Sequence, residues 1–97
     1  MEISKLKEGT TLNITLKGRL DTVTSGDLGA ALEEEEGYTD VVFDFGELQY
    51  ISSSGLRLLF SQNRKLGGKE HVVVRNVNAV VREIFHVTGF ERQITLE

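Results

Sequence analysis

An α/β fold in the order β-β-α-β-α-β-α-β is predicted for this chain, and three observations carry the prediction. The stretch "TTLNITLK" (10–17) alternates apolar and polar residues, as a half-buried strand does. "DVVFDFG" (40–46) and "HVVVRN" (71–76) are short continuous apolar runs, the mark of strands buried in a parallel sheet. Between and after them lie segments with apolar residues at helical spacing, each closed by a glycine. Helices that cross between successive strands imply a mostly parallel sheet. How the helices divide between its two faces is left open by the pattern.

Each element has its own local reason. "EISKLK" reads as a first strand, and "EGT" turns it into the alternating strand, where Leu12, Ile14 and Leu16 share one face. In "GRLDTVTSGDLGAALEEEEG", Leu28, Ala31 and Leu32 fall on one helical face. Asp21, Thr22 and Thr24 are its candidate N-caps and Gly37 its C′ residue. Gly26 and Gly29 each weaken this helix by roughly 1 kcal/mol relative to alanine. Glu33 to Glu36 set negative charge at its C-terminal end, against the macrodipole, so an exposed and frayed end is expected.

A second helix runs from the serines to Lys65, with Leu56, Leu59 and Phe60 inward and Leu66 a further candidate. Arg64 and Lys65 suit its negative end, and Gly67 stops it. After the run 71–76, Asn78 caps a third helix carrying Val80, Val81, Ile84 and Phe85, which Gly89 closes. "RQITL" forms the last strand.

Composition narrows the function classes. With 97 residues the expectation is a single domain over 1–97. There is no cysteine, which removes disulfides and thiolate metal sites and fits a reducing compartment. A net charge of −4 argues against direct nucleic-acid binding, and the one basic window, "RKLGGK", is accounted for by a cationic helix end. The opening residues lack the apolar stretch expected of a signal peptide, and no apolar run approaches the roughly 20 residues that span a bilayer. A cytoplasmic protein without membrane insertion is expected.

Catalytic patterns are weak. "SSSG" is not the G-x-S-x-G elbow of a hydrolase, and His71 and His86 are the only imidazole bases. Neither histidine belongs to a metal-binding spacing, and the acidic run 33–36 does not resemble a calcium loop. No phosphate-cradling glycine loop is present, so no cofactor is expected.

"YISSSGL" (50–56) remains, with three hydroxyls before a glycine and an apolar run. One serine suffices as an N-cap. A hydroxyl at an exposed strand-to-helix turn is also within reach of another protein's active site. A phosphate there would add about −1.5 to −2 charge. The helix N-terminus tolerates that charge, so modification need not unfold the domain.

"LQYISSSGLRLL" resembles the central motif of STAS domains, the family of bacterial anti-sigma factor antagonists. "LKGRLDTVTSGDL", "DVVFDFGELQYI" and "NAVVREIFHVTGF" resemble three further family segments, in order and in register over nearly the whole chain. The resemblance implies a mixed sheet with helices packed on one face. It further implies partner switching: the unphosphorylated antagonist binds an anti-sigma factor that is a serine kinase, phosphorylation releases it, and a serine phosphatase restores the hydroxyl.

Counting back from Gly55, the family's acceptor falls on Ser53. Asp21 matches the family aspartate that lies near the acceptor on the partner surface, and Asp44 is a further carboxylate expected nearby. Ser52, Ser53, Ser54, Gly55 and Arg57, with Asp21, make up the implied partner-binding set. Ser52 stands where the family usually has aspartate, which makes Ser52 and Ser54 rival acceptors. The same replacement favours an alternative: an interaction module that is never phosphorylated, such as a subunit of a membrane transporter complex or larger signalling assembly. The chain ends at "RQITLE", where family members often add a helix.

Overall fold

The five strands of the computed structural model, which describes residues 1–97, lie side by side in the order in which the chain makes them. β1 (Glu2–Glu8) pairs antiparallel with β2 (Thr11–Leu20). β3 (Asp40–Ile51), β4 (Val72–Arg75) and β5 (Thr95–Leu96) follow, each parallel to its predecessor. α1 (Thr22–Glu33), α2 (Ser53–Leu66) and α3 (Ala79–Val87) make the three crossovers. Each crossover advances one strand in the same direction, so right-handed connections put all three helices on one face. This is the mixed, one-sided α/β sheet that the resemblance implies.

The buried side of the sheet follows the alternation read in the sequence. Leu12, Ile14 and Leu16 of β2 meet Val41, Phe43 and Phe45 of β3 and Val72 and Val74 of β4 in one apolar cluster. Leu28 and Leu32 of α1, Leu59 of α2, and Val81 and Phe85 of α3 close it from above. Aromatic rings run through it in sequence: Phe43 to Phe45 (5.9 Å between centroids), Phe45 to Phe85 (6.4 Å) and Phe85 to Phe90 (5.6 Å).

β3 extends five residues past the run predicted for it. Its register with β2 slips between Thr15 and Lys17 and again between Gly18 and Arg19, with an extra β3 residue at each bulge. The buried positions therefore pass from 41, 43 and 45 to 48 and 51, a spacing that no longer alternates.

Four further expectations are corrected. α1 stops at Glu33 with Glu34 as C-cap, and Gly37 sits beyond it in the loop at φ +76°. The acidic end does not fray free: the register of β1 turns Lys5 and Lys7 toward the helices. Lys5 Nζ donates to the Ala31 carbonyl (2.9 Å) and to Glu34 (3.1 Å), while Lys7 donates to the Glu36 carbonyl. Phe60 is 40% exposed and Val80 57%, because the inward stripes of their helices pass through Leu59 and through Val81 and Phe85 instead. Gly67 does end α2 as expected, in the left-handed conformation that glycine adopts without strain.

The histidines lie against separate carboxylates. His71 closes a short 3-10 turn (Lys69–His71) ahead of β4, with Nδ1 2.8 Å from Asp40. His86 Nδ1 lies 2.9 Å from Glu91 across the turn that follows α3, and the hydrogen bond and charge of Glu91 raise its pKa above the usual 6.5. A raised folded-state pKa gives stability that is fully present below the unfolded value near 6.5 and is lost as pH rises through the folded value. A ¹H–¹⁵N titration of His86 is accordingly expected to show a midpoint above 6.5 that Glu91→Gln moves back toward it. An unchanged midpoint would remove Glu91 as the cause.

Candidate functional site

The C-terminal ends of β2 and β3 bring two helix starts together. β2 ends at Leu20, and Asp21 caps α1: its Oδ1 accepts from the backbone N–H groups of Val23 and Thr24, both at 3.0 Å. Thr24 Oγ1 in turn accepts from the Asp21 N–H at 2.8 Å, which completes a capping box, and its own proton lies within reach of the Arg19 carbonyl (2.7 Å) and of Asp21 Oδ1 (3.0 Å). The Thr24 backbone and hydroxyl bonds hold the Asp21 carboxyl below the usual carboxylate range. One strand over, the Ser52 N–H donates to the Leu20 carbonyl at 2.8 Å.

The three serines have three different roles in the geometry. Ser52 is extended and is the N-cap of α2, its Oγ accepting from the Gly55 N–H at 3.4 Å. Ser54 turns its Oγ to within 3.4 Å of Thr22 Oγ1 on α1 and accepts from Arg57 Nη2 at 3.4 Å. Ser53 occupies the first helical position, exposed, with its hydroxyl free of any protein partner. Gly55, next in the chain, is buried. A Cβ there would come within 2.7 Å of Ile51 Cγ1 and 2.9 Å of Leu20 Cδ2. Only glycine lets α2 begin this close to the ends of both strands.

Beside Ser53 lies a shallow groove of about 300 Å³. Leu56, Arg57 and Phe60 of α2 form one wall, and Thr88 and Phe90 from the turn after α3 form the other. Arg64 lies over the Phe60 ring, 5.9 Å from its centroid. No carboxylate pairs with Arg57 or Arg64, although the chain carries 15 acidic residues.

The family model described as "Mlab, STAS domain" matches residues 3–97. The chain belongs to the STAS family.

A curated relative of this STAS chain is BtrV of Bordetella bronchiseptica, named as a proposed anti-sigma factor antagonist. The two are 36% identical over 80 residues, which span 77% of this chain and 67% of the relative. Among solved structures, an anti-sigma factor antagonist from Mycobacterium paratuberculosis superposes with a TM-score of 0.81 at 23% identity, over 98% of this chain and 85% of the other. The Bacillus cell fate determinant SpoIIAA in its phosphorylated form gives 0.75 at 20% identity, over 99% and 91%. These solved structures share the fold.

In this STAS domain the positions singled out from the sequence do converge. Asp21, Ser52, Ser53, Ser54, Gly55 and Arg57 all sit at the two adjacent helix starts. Asp44 does not join them. It lies mid-strand in register with Thr15 and Arg75, on the face away from the helices, and its Oδ1 accepts from the Gly46 N–H (2.9 Å) and from Asn76 (3.1 Å). The sequence reading also missed the far wall of the groove. Thr88 and Phe90 come from the closing turn of another helix, and the only local signal was Gly89, whose φ of +72° swings the chain back toward α2.

Proposed function

We propose that this chain is an anti-sigma factor antagonist that holds an anti-sigma factor serine kinase while Ser53 is unmodified and releases it when Ser53 is phosphorylated. A serine phosphatase resets the hydroxyl, and the cycle runs in the cytoplasm with residues 1–97 acting as one STAS domain. The protein works by binding, not by catalysing a reaction. The observation that carries this reading is the division of labour among the serines: Ser52 caps, Ser54 is tied to Thr22 and Arg57, and Ser53 alone is exposed and uncommitted.

The surroundings support a charge switch. Asp21 already carries a carboxylate at the neighbouring helix start, and its depressed pKa keeps it ionised. A phosphate beside it adds about −1.5 to −2 charge to the surface without disturbing the cap on Ser52. Surface couplings of this kind change affinity by roughly 5- to 150-fold.

Ser53→Ala is expected to bind the cognate kinase constitutively, and Ser53→Asp to bind it at least about fivefold more weakly, measured by titration calorimetry. Equal affinity of Ser53→Asp and the wild type would sink the charge argument. Peptide mapping of protein from native cells should place a phosphatase-sensitive phosphoryl group on Ser53; finding it on Ser52 or Ser54 would reassign the switch.

A second reading draws on Ser52. With serine as cap in place of the motif's acid, the site lacks one charge of the family pattern. An unphosphorylated interaction module would purify with a membrane transporter or signalling assembly instead of a kinase, and would never carry phosphate.

A further inference from the structure

We propose that Arg57 is a built-in receptor for the phosphoryl group on Ser53: once modified, Ser53 draws the Arg57 guanidinium into an ion pair along α2, and the groove loses the basic charge that Arg57 lends its lining. This rests on Ser53 being the modified hydroxyl. In that step the Ser53 Oγ bonds to the γ-phosphorus of a nucleoside triphosphate, the bond to the leaving diphosphate breaks, and the hydroxyl proton passes to a base.

Four observations lead to the pair. Ser53 and Arg57 are four residues apart on one helix, with the acidic partner N-terminal, the favoured orientation for such pairs. Both line the same groove. Arg57 already folds back toward the helix start, where its Nη2 reaches Ser54 Oγ at 3.4 Å. That contact is long and its acceptor neutral, and a phosphate offers the planar guanidinium a stronger two-point, charge-assisted bond. Finally, no carboxylate of the chain competes for Arg57.

The helix start assists without carrying the effect. The first backbone N–H groups of α2 face the same end, and negative charge is favoured there. A phosphate held from both sides leaves the fold intact and tightens the first turn. The switch then has two parts: an anion appears, and a cation that bordered Leu56 and Phe60 is withdrawn. Aspartate at position 53 is shorter and carries one charge, so it engages Arg57 only in part.

The test uses the full chain with phosphoserine installed at 53 by genetic encoding, compared with the unmodified chain and with Arg57→Met in both states. Side-chain ¹⁵N NMR is expected to show slowed rotation of the Arg57 guanidinium only after modification. Phosphorylation should also raise the folding equilibrium constant by roughly 3- to 10-fold, and Arg57→Met should remove most of that gain. Unchanged Arg57 signals, or an equal gain in Arg57→Met, would overturn the pair and assign the effect to the helix terminus alone. Arg57 is exposed and methionine is a good helix former, so the variant should fold, as circular dichroism would check. Because the phosphate is installed directly, these outcomes are independent of peptide mapping in cells. An unmodified Ser53 there sinks the switch, whereas an unresponsive Arg57 sinks only this pair.

Discussion

Phe85→Ala is expected to lower the free energy of unfolding by about 3–5 kcal/mol. The ring is fully buried and lies between Phe45 of the sheet and Phe90 of the closing turn. α3 has only nine residues and two buried anchors, Val81 and Phe85, so truncation removes the larger of the two. Total stability for a domain of this size is about 5–15 kcal/mol, and the variant would stand near the edge of folding. Urea denaturation should show a much lower midpoint, and Tm should fall by roughly 12–40 °C. A loss under about 1 kcal/mol would mean that the neighbouring rings collapse into the space. Since Phe90 belongs to the groove beside Ser53, removal of its support should also weaken partner binding beyond the loss of folded protein.

Gly55→Ala should destabilise by about 1–3 kcal/mol, even though alanine is the better helix former by about 1 kcal/mol. The new methyl would press on Ile51 at 2.7 Å and Leu20 at 2.9 Å, both packed in the core with almost no exposure. Neither can yield without moving the end of its strand. Gly29→Ala is the matched control: its Cβ meets only Leu58 Cδ1 at 3.7 Å, ordinary contact, so that substitution should be neutral or stabilising. If both variants unfolded at the wild-type midpoint, the tight seat of α2 on the two strands would be refuted. A shift in Gly55→Ala alone should carry a functional cost as well, because displacing the first turn moves all three serines together.

What could be read from the sequence, and what could not, follows from how local each signal is. The Leu12, Ile14 and Leu16 alternation and the Asn78 cap depend on neighbours within a few residues, and both stand in the structure. The far half of β3 was illegible because two bulges break its period, so Leu48 and Ile51 look unrelated to Phe43 and Phe45. Phe60 shows the opposite error. An aromatic residue at helical spacing reads as core, yet it borders a groove whose other wall is contributed some 30 residues later. Identical serines could not be ranked by composition. Only the extended backbone at Ser52 distinguishes the cap from its neighbour, and that conformation depends on the bond from its N–H to Leu20 on another strand.

The strand order also sets a sequence of assembly. Because every strand pairs with the one made just before it, the sheet can grow at one edge as the chain emerges from the ribosome, and no pairing waits for a distant partner. β1 through β3 with α1 already supply the widest part of the core and the seat for α2. The wall formed by Thr88 and Phe90 arrives last, just ahead of a β5 of only two residues. A nascent chain released through α2 thus displays its hydroxyls before the surface they border has formed, and in the finished protein that late-added edge is expected to exchange its amide hydrogens first.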